Sequence, residues 1–160
     1  MGRQIAVLIT VAMICGCTVY TFNPGGKSSI QSVAIERFEN KTAEFGLADQ
    51  MTDIIIDAFL TDGNLKVLSR ESADAVLVGS LAAYSRKPFE FDESDQVQTY
   101  SVTMTFDLSF KKPDSESDIW TERMTQIGYY DAQTETEEDG QEEALALLVD
   151  AIIDKTTKSW

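Results

Sequence analysis

Gln98-Thr99-Tyr100-Ser101-Val102-Thr103-Met104-Thr105-Phe106-Asp107-Leu108-Ser109-Phe110 alternates without a break. Tyr100, Val102, Met104, Phe106, Leu108 and Phe110 share one parity; Thr99, Ser101, Thr103, Thr105, Asp107 and Ser109 share the other. Successive side chains of a strand point to opposite faces, so this is a long strand with one packed face and one hydroxyl-rich face. Ser and Thr tolerate water, and Thr keeps strand propensity.

The neighbouring segments extend the sheet. Upstream, Asp74 to Tyr84 is apolar on both parities, with Ala75, Leu77, Leu81 and Ala83 on one and Val76, Val78 and Ala82 on the other. That predicts a strand covered, or nearly so, on both faces. Downstream, Lys111 to Asp118 holds Pro113, Asp114 and further acidic and Ser residues, a hairpin turn. Ile119 to Tyr129 then returns as a strand containing Trp120, Met124, Ile127 and Tyr129, with a weaker alternation. Short strands are expected at Val33–Phe38 and Leu65–Leu68.

Two segments carry helical spacing. Leu47, Met51, Ile54, Ile55, Ala58 and Phe59 form one stripe, so residues 44–61 read as an amphipathic helix, with Gly63 at its C-terminal stop. Residues 134–158 form the second, packing through Leu145, Leu148, Val149 and Ile152. A capping box over Thr134 and Glu137 is expected at its start, and Gly140 weakens its first turns by ~1 kcal/mol relative to Ala. The expected fold is α+β: two amphipathic helices on one face of a mostly antiparallel sheet of four to five strands.

Composition bounds the chemistry. The chain has 160 residues, 13 Lys and Arg against 27 Asp and Glu, a net charge of −14 and no His. Serine- or cysteine-histidine catalysis and His metal ligation are therefore excluded within the chain. The acidic balance opposes nucleic-acid binding, which needs clustered cations. The acids gather in turns (Glu90, Asp92, Glu93 and Asp95; Asp114, Glu116 and Asp118) and at a helix start. Solvated turns explain them better than paired catalytic carboxylates. Asp92 to Asp95 lacks the Gly and distal Glu of a calcium loop. No enzyme activity, cofactor or metal is expected.

The N-terminus reads as an address. Arg3 precedes ten residues, Ile5 to Ile14, that are apolar apart from Thr10. That run is half of the ~20 residues a membrane span needs and fits a secretory signal. It ends Ile14-Cys15-Gly16-Cys17, which resembles the bacterial lipobox. The resemblance implies cleavage before Cys17, with fatty acyl chains such as palmitate on that residue. Residues 1–16 would be the signal peptide, residues 17–32 a lipid-anchored tether containing Asn23-Pro24-Gly25-Gly26, and residues 33–160 one domain. Cleavage removes Arg3 and no acid, so the mature chain is one unit more negative.

One basic-aromatic cluster stands out: Arg86-Lys87-Pro88-Phe89 and Phe91. Arg86, Lys87 and Phe89, with Arg123 on a nearby strand, are the candidate contacts to an amphiphile bearing phosphates and acyl chains, or to a partner.

Several motifs together are similar to the LptE family of lipopolysaccharide-assembly lipoproteins of the outer membrane. They are Val33-Ala34-Ile35 with Phe38, Asn40 and Thr42; Gly46-Leu47; Ala73-Asp74-Ala75-Val76-Leu77 with Gly79; and Tyr84, Arg86 and Pro88. The likeness continues through residues 92–96, Val97, Tyr100, Trp120, Glu122 and Tyr130 to Ser159-Trp160. It implies a domain that plugs the β-barrel LptD, helps assemble it and serves lipopolysaccharide delivery to the outer leaflet, without catalysis, from an outer-membrane lipid anchor. Lipopolysaccharide itself is a candidate ligand, although the acidic chain is poor in cations for its phosphates. The motifs before Gly79 are shared with curli-secretion subunits and peptidoglycan-synthase activators, so a periplasmic regulator or secretion-apparatus subunit is the alternative.

Overall fold

The alternating segment becomes the middle of a long three-stranded meander onto which the shorter strands and both helices are built. The computed structural model describes residues 30–115 and 117–158. In chain order these form β1 (Ser32–Ile35), β2 (Glu39–Asn40), α1 (Leu47–Asp62), β3 (Lys66–Val67), β4 (Ala75–Phe91), β5 (Val97–Lys111), β6 (Asp118–Asp131) and α2 (Glu137–Lys158). The sheet has six strands in the order β3-β1-β4-β5-β6, with β2 also pairing with β4. β4, β5 and β6 are antiparallel. The short β1 and β2 run parallel to β4, and β3 runs parallel to β1. The α+β architecture expected from the sequence is present; the extra strands are two-residue pairings of the Phe38–Asn40 segment and the return from α1.

Burial follows the alternation of β5. Val102, Met104, Phe106 and Phe110 are fully buried and Leu108 nearly so, beneath Met51, Ile55 and Phe59 of α1 and Leu145, Leu148 and Ile152 of α2. At the start of β4 the opposite parity is buried too. Val76 joins Ala34 and Ala73 in a second, smaller cluster, as the doubly apolar sequence requires. α1 ends where expected: Gly63 takes φ 69° and its N–H donates to the Phe59 carbonyl.

The family-like motifs each have a structural cause. Gly79 leaves room for the buried Phe38 ring, since a Cβ there would lie 2.2 Å from it. The Phe38 N–H donates to Thr52 Oγ1 on α1 at 3.0 Å. Asn40 accepts from the Thr42 N–H and hydroxyl at 2.9 and 2.7 Å, folding the turn toward α1. Asp74 latches the first strand. Its Oδ2 accepts the N–H groups of Gln31 and Ser32 and the Ser32 hydroxyl at 2.9, 3.0 and 2.8 Å. Ile30 and Ser32 are accordingly buried.

α2 departs from the sequence expectation at its start. It opens at Glu137, capped by Thr136 and Asp139 instead of Thr134 and Glu137: Asp139 Oδ2 accepts the Thr136 N–H and hydroxyl at 2.7 and 2.8 Å. Thr134 instead closes the preceding turn on Asp131, which takes its N–H and hydroxyl and the Gln133 N–H, each at 2.9 Å. Gly140 therefore lies inside the helix, and its role is close approach. A Cβ on Gly128 of β6 would stand 1.9 Å from the Gly140 carbonyl oxygen, so helix and strand backbones touch here.

Gly128→Ala is expected to lower stability by about 3 kcal/mol in denaturant titration, because the clash is with backbone. Gly140→Ala meets side-chain atoms, Tyr130 Cδ1 at 3.0 Å and Val102 Cγ2 at 3.2 Å, and is expected to cost clearly less. The carboxyls of Asp74, Asp131 and Asp139 are all held below their usual range, first by the backbone N–H groups of Gln31, Gln133 and Thr136 respectively and then by Ser and Thr hydroxyls. A carboxyl depressed in the folded state contributes stability that is present above its unfolded pKa of about 4 and is lost as pH falls toward its folded value. Stability is thus expected to fall progressively below about pH 4. Asp74→Asn should flatten that decline in acid titrations followed by circular dichroism.

Candidate functional site

Both helices cover the same face of the sheet, and most of the other face is left open. On β5 that face carries Thr99, Ser101, Thr103, Thr105, Asp107 and Ser109, in register on β6 with Asp131, Tyr129, Ile127, Thr125, Arg123 and Thr121. Thr105 and Thr125 join through their hydroxyls at 3.1 Å, and Arg123 clasps Asp107 with two bonds of 2.8 and 3.1 Å. The weak alternation of β6 resolves accordingly: Trp120 and Met124 pack inward, while Ile127 and Tyr129 are exposed on the open face.

A bulge decides where the cationic residues go. The pairing of β4 with β5 shifts between Leu81 and Ala83, which inverts the facing of β4 beyond that point. Tyr84 and Arg86 then pair with the inward Met104 and Val102, whereas Lys87 pairs with the outward Ser101. Arg86 and Lys87 therefore lie on opposite faces and do not form one patch. Phe89 keeps the outward parity of Lys87, and its ring lies 4.7 Å from that of Tyr129 on the open face. Lys87, Phe89, Tyr129 and Ile127 thus share the open face near the β4–β5 turn. Arg123 lies further down it, locked to Asp107.

Arg86 serves the other face. Its guanidinium stands 4.1 Å from the Tyr100 ring centre and 5.7 Å from that of Tyr130, the two rings lying near-parallel at 5.4 Å, and its Nε is 3.6 Å from Glu137 at the start of α2. Glu137 also accepts the Tyr84 hydroxyl, to which Gln141 donates at 2.9 Å. Burial raises the Tyr84 phenol well above its usual range; the Gln141 donor opposes this and the Glu137 carboxylate adds to it. The cluster clamps the helix start to β4. Arg37, Arg70 and Lys155 are likewise held, by Asp49, Glu36 and Glu122. Among the described residues every arginine meets a carboxylate.

The open face holds a cleft of about 600 Å³ lined by Ser80, with Glu36, Arg37 and Lys41 from the β1–α1 segment and Asp107 and Arg123 from β5 and β6. Its charges are largely paired. No group of three or more acidic or thiol side chains is placed to hold a metal among the described residues. The Asp92–Asp95 turn is an ordinary one, with Asp92 Oδ1 accepting the Ser94 and Gln96 N–H groups at 2.8 and 2.9 Å. No helix among the described residues is long and apolar enough to cross a membrane. Cys17, the signal segment and the tether up to residue 29 lie outside the described residues.

Residues 30–156 match the model of the family described as LptE: Lipopolysaccharide-assembly. The chain belongs to that family. Solved structures share the fold at low identity. Protein XCC0632 from Xanthomonas campestris aligns with 84% of this chain and 88% of its own, at 13% identity and a TM-score of 0.58. The hypothetical protein CT253 from Chlamydia trachomatis aligns over 79% and 97%, at 8% identity and 0.57. Lipoprotein B from Nitrosomonas europaea aligns over 80% and 83%, at 15% identity and 0.51. No curated protein matches the chain.

Sequence reading picked out Arg86, Lys87, Phe89 and Arg123, and missed Ile127 and Tyr129 as surface residues and Gly128 as a contact. The glycine was detectable, since Gly inside a strand signals a bulge or a close approach. The facing of Arg86 depends on the bulge at Ala82, which no local pattern announces. Arg86→Ala is expected to cost about 1 kcal/mol and to speed hydrogen exchange in the first turns of α2, through loss of its ring and carboxylate contacts. Lys87→Ala should leave both unchanged.

Proposed function

We propose that this LptE-family chain is a non-catalytic outer-membrane lipoprotein, anchored through Cys17, whose domain plugs and helps assemble the LptD barrel for lipopolysaccharide delivery. The observation that carries this is the open sheet face. It spans three long strands, is clad largely in Ser and Thr with a locked Asp107–Arg123 pair, and beyond the short apolar start of β4 is covered by no element among the described residues. The polar lumen of a large barrel suits such a face. The paired arginines make a poor free phosphate site, so contact with lipopolysaccharide falls to Lys87, Phe89 and Tyr129, a cation beside two touching rings.

Tagged full-length protein solubilised from outer membranes is expected to bring down a large β-barrel protein in near-equal amount; recovery of the lipoprotein without one overturns the plug role. Cys17→Ala should release the protein from the membrane fraction. Lys87→Glu with Phe89→Ser should weaken lipopolysaccharide binding in vitro. Unchanged affinity rejects that contact and leaves the barrel role standing.

A further inference from the structure

In the cleft on the open face the fold leaves three polar groups unsatisfied. Seven charged side chains line the cleft. Five are engaged: Asp107 with Arg123, and Glu36, Arg37 and Glu122 with Arg70, Asp49 and Lys155, which lie outside it. Glu39 and Lys41 remain, one of each sign, and neither side chain has an ion-pair partner among the described residues. Ser80 is the third. It is only 5% exposed, and its hydroxyl has no hydrogen-bond partner among the described residues. It pairs with the outward Asp107, so its side chain points to the open face and into the cleft. A hydroxyl so deeply set is ordinarily paired.

The three groups share one corner. Glu39 pairs with Ser80 in the parallel β2–β4 ladder, and the Lys41 N–H extends that ladder by donating to the Leu81 carbonyl at 3.0 Å. Positions two apart on a strand face the same way and lie ~6.7 Å apart, and neighbouring strands lie ~4.8 Å apart. An unpaired carboxylate, an unpaired ammonium and a free hydroxyl thus border one small volume.

We infer that this corner binds the ethanolamine phosphodiester headgroup of a phospholipid, with its ammonium on Glu39 and its phosphate on Lys41 and the Ser80 hydroxyl. Charge selects the class of ligand. One free charge of each sign matches a zwitterion of zero net charge; a lone anion or cation would leave one of the two unmatched in a cleft whose other charges are already paired. Spacing selects within the class. An α-amino acid carries its charges on adjacent carbons, whereas ethanolamine phosphate sets them apart by a two-carbon linker, as the separated Glu39 and Lys41 require. Glu39 calls for N–H donors, which an ethanolamine ammonium has and a trimethylammonium lacks. A phosphodiester carries one negative charge, against about −1.5 to −2 for a free phosphate ester, and one ammonium, Lys41, is available to it. The site does not rest on the barrel reading. It is also separate from Lys87, Phe89 and Tyr129, none of which lines the cleft.

Isothermal titration calorimetry of the mature lipoprotein in an alkyl glycoside detergent tests it, with glycerophosphoethanolamine, glycerophosphocholine and O-phosphoethanolamine as probes. The expected result is saturable one-to-one binding of glycerophosphoethanolamine, with glycerophosphocholine weaker by about fivefold or more. Ser80→Ala removes a hydroxyl that the fold does not use. It should weaken binding by about fivefold and leave the circular dichroism spectrum and thermal unfolding unchanged. Lys41→Gln should weaken binding by about tenfold. No saturable binding, equal affinity for the choline probe, or an affinity indifferent to both substitutions overturns the inference. Tighter binding of O-phosphoethanolamine overturns the lipid headgroup in favour of a free phosphate ester.

Discussion

Two helices can cover only one face of a sheet, and here the sheet is long. β4, β5 and β6 run 17, 15 and 14 residues, and the second face has little to pack on it beyond the small Ala34–Val76 cluster. Everything else adjusts to that imbalance. The exposed parity of β5 is hydroxylic because an apolar one would aggregate. The short β1 and β2 stop at the level of Leu81, so they stiffen the lower half of β4 and leave its upper half paired on one side only. The helix that crosses the upper half needs local attachment, and it has three devices: the backbone contact of Gly128 with Gly140, the Glu143 and Glu135 bonds to the β6 edge, and the Arg86–Glu137–Tyr84 clamp.

The bulge at Ala82 links sheet geometry to surface chemistry. Without it, strict alternation from the inward Leu81 would send Lys87 beneath the helix and Arg86 to the open face. With it, the guanidinium lies over an aromatic face and beside a carboxylate, where its planar shape and stacking are useful. The ammonium of Lys87 meets water. A single extra residue thus sorts two adjacent cations, one into support of the scaffold and one onto the surface.

The sequence was legible where a pattern is local and periodic. The faces of β5, the stripe of α1, its Gly63 stop and the packing residues of α2 could all be read from spacing. It was illegible where the decision belongs to two distant segments. Thr134 and Thr136 both precede acids three residues on; only the competition of Asp131 for Thr134 moves the cap to Thr136. Ile127 looks like core until the register of β6 sets it opposite Thr103. Arg86 and Lys87 do not gather into one patch, because adjacency along a strand separates side chains instead of grouping them.

The acidic excess also has a direction. Ile30, where the described chain begins, stands at the Asp74 end of the sheet with the β5–β6 turn. The other end carries Glu90, Asp92, Glu93 and Asp95 in one turn and Asp131, Glu135, Glu137, Glu138 and Asp139 in the next, against only Arg86 and Lys87. At ~3.3 Å per residue, β4 separates these ends by roughly 50 Å. On the proposed anchoring through Cys17, the lipid enters from the Ile30 end. The acidic end, with Phe89 and Tyr129, is therefore the one remote from residue 30.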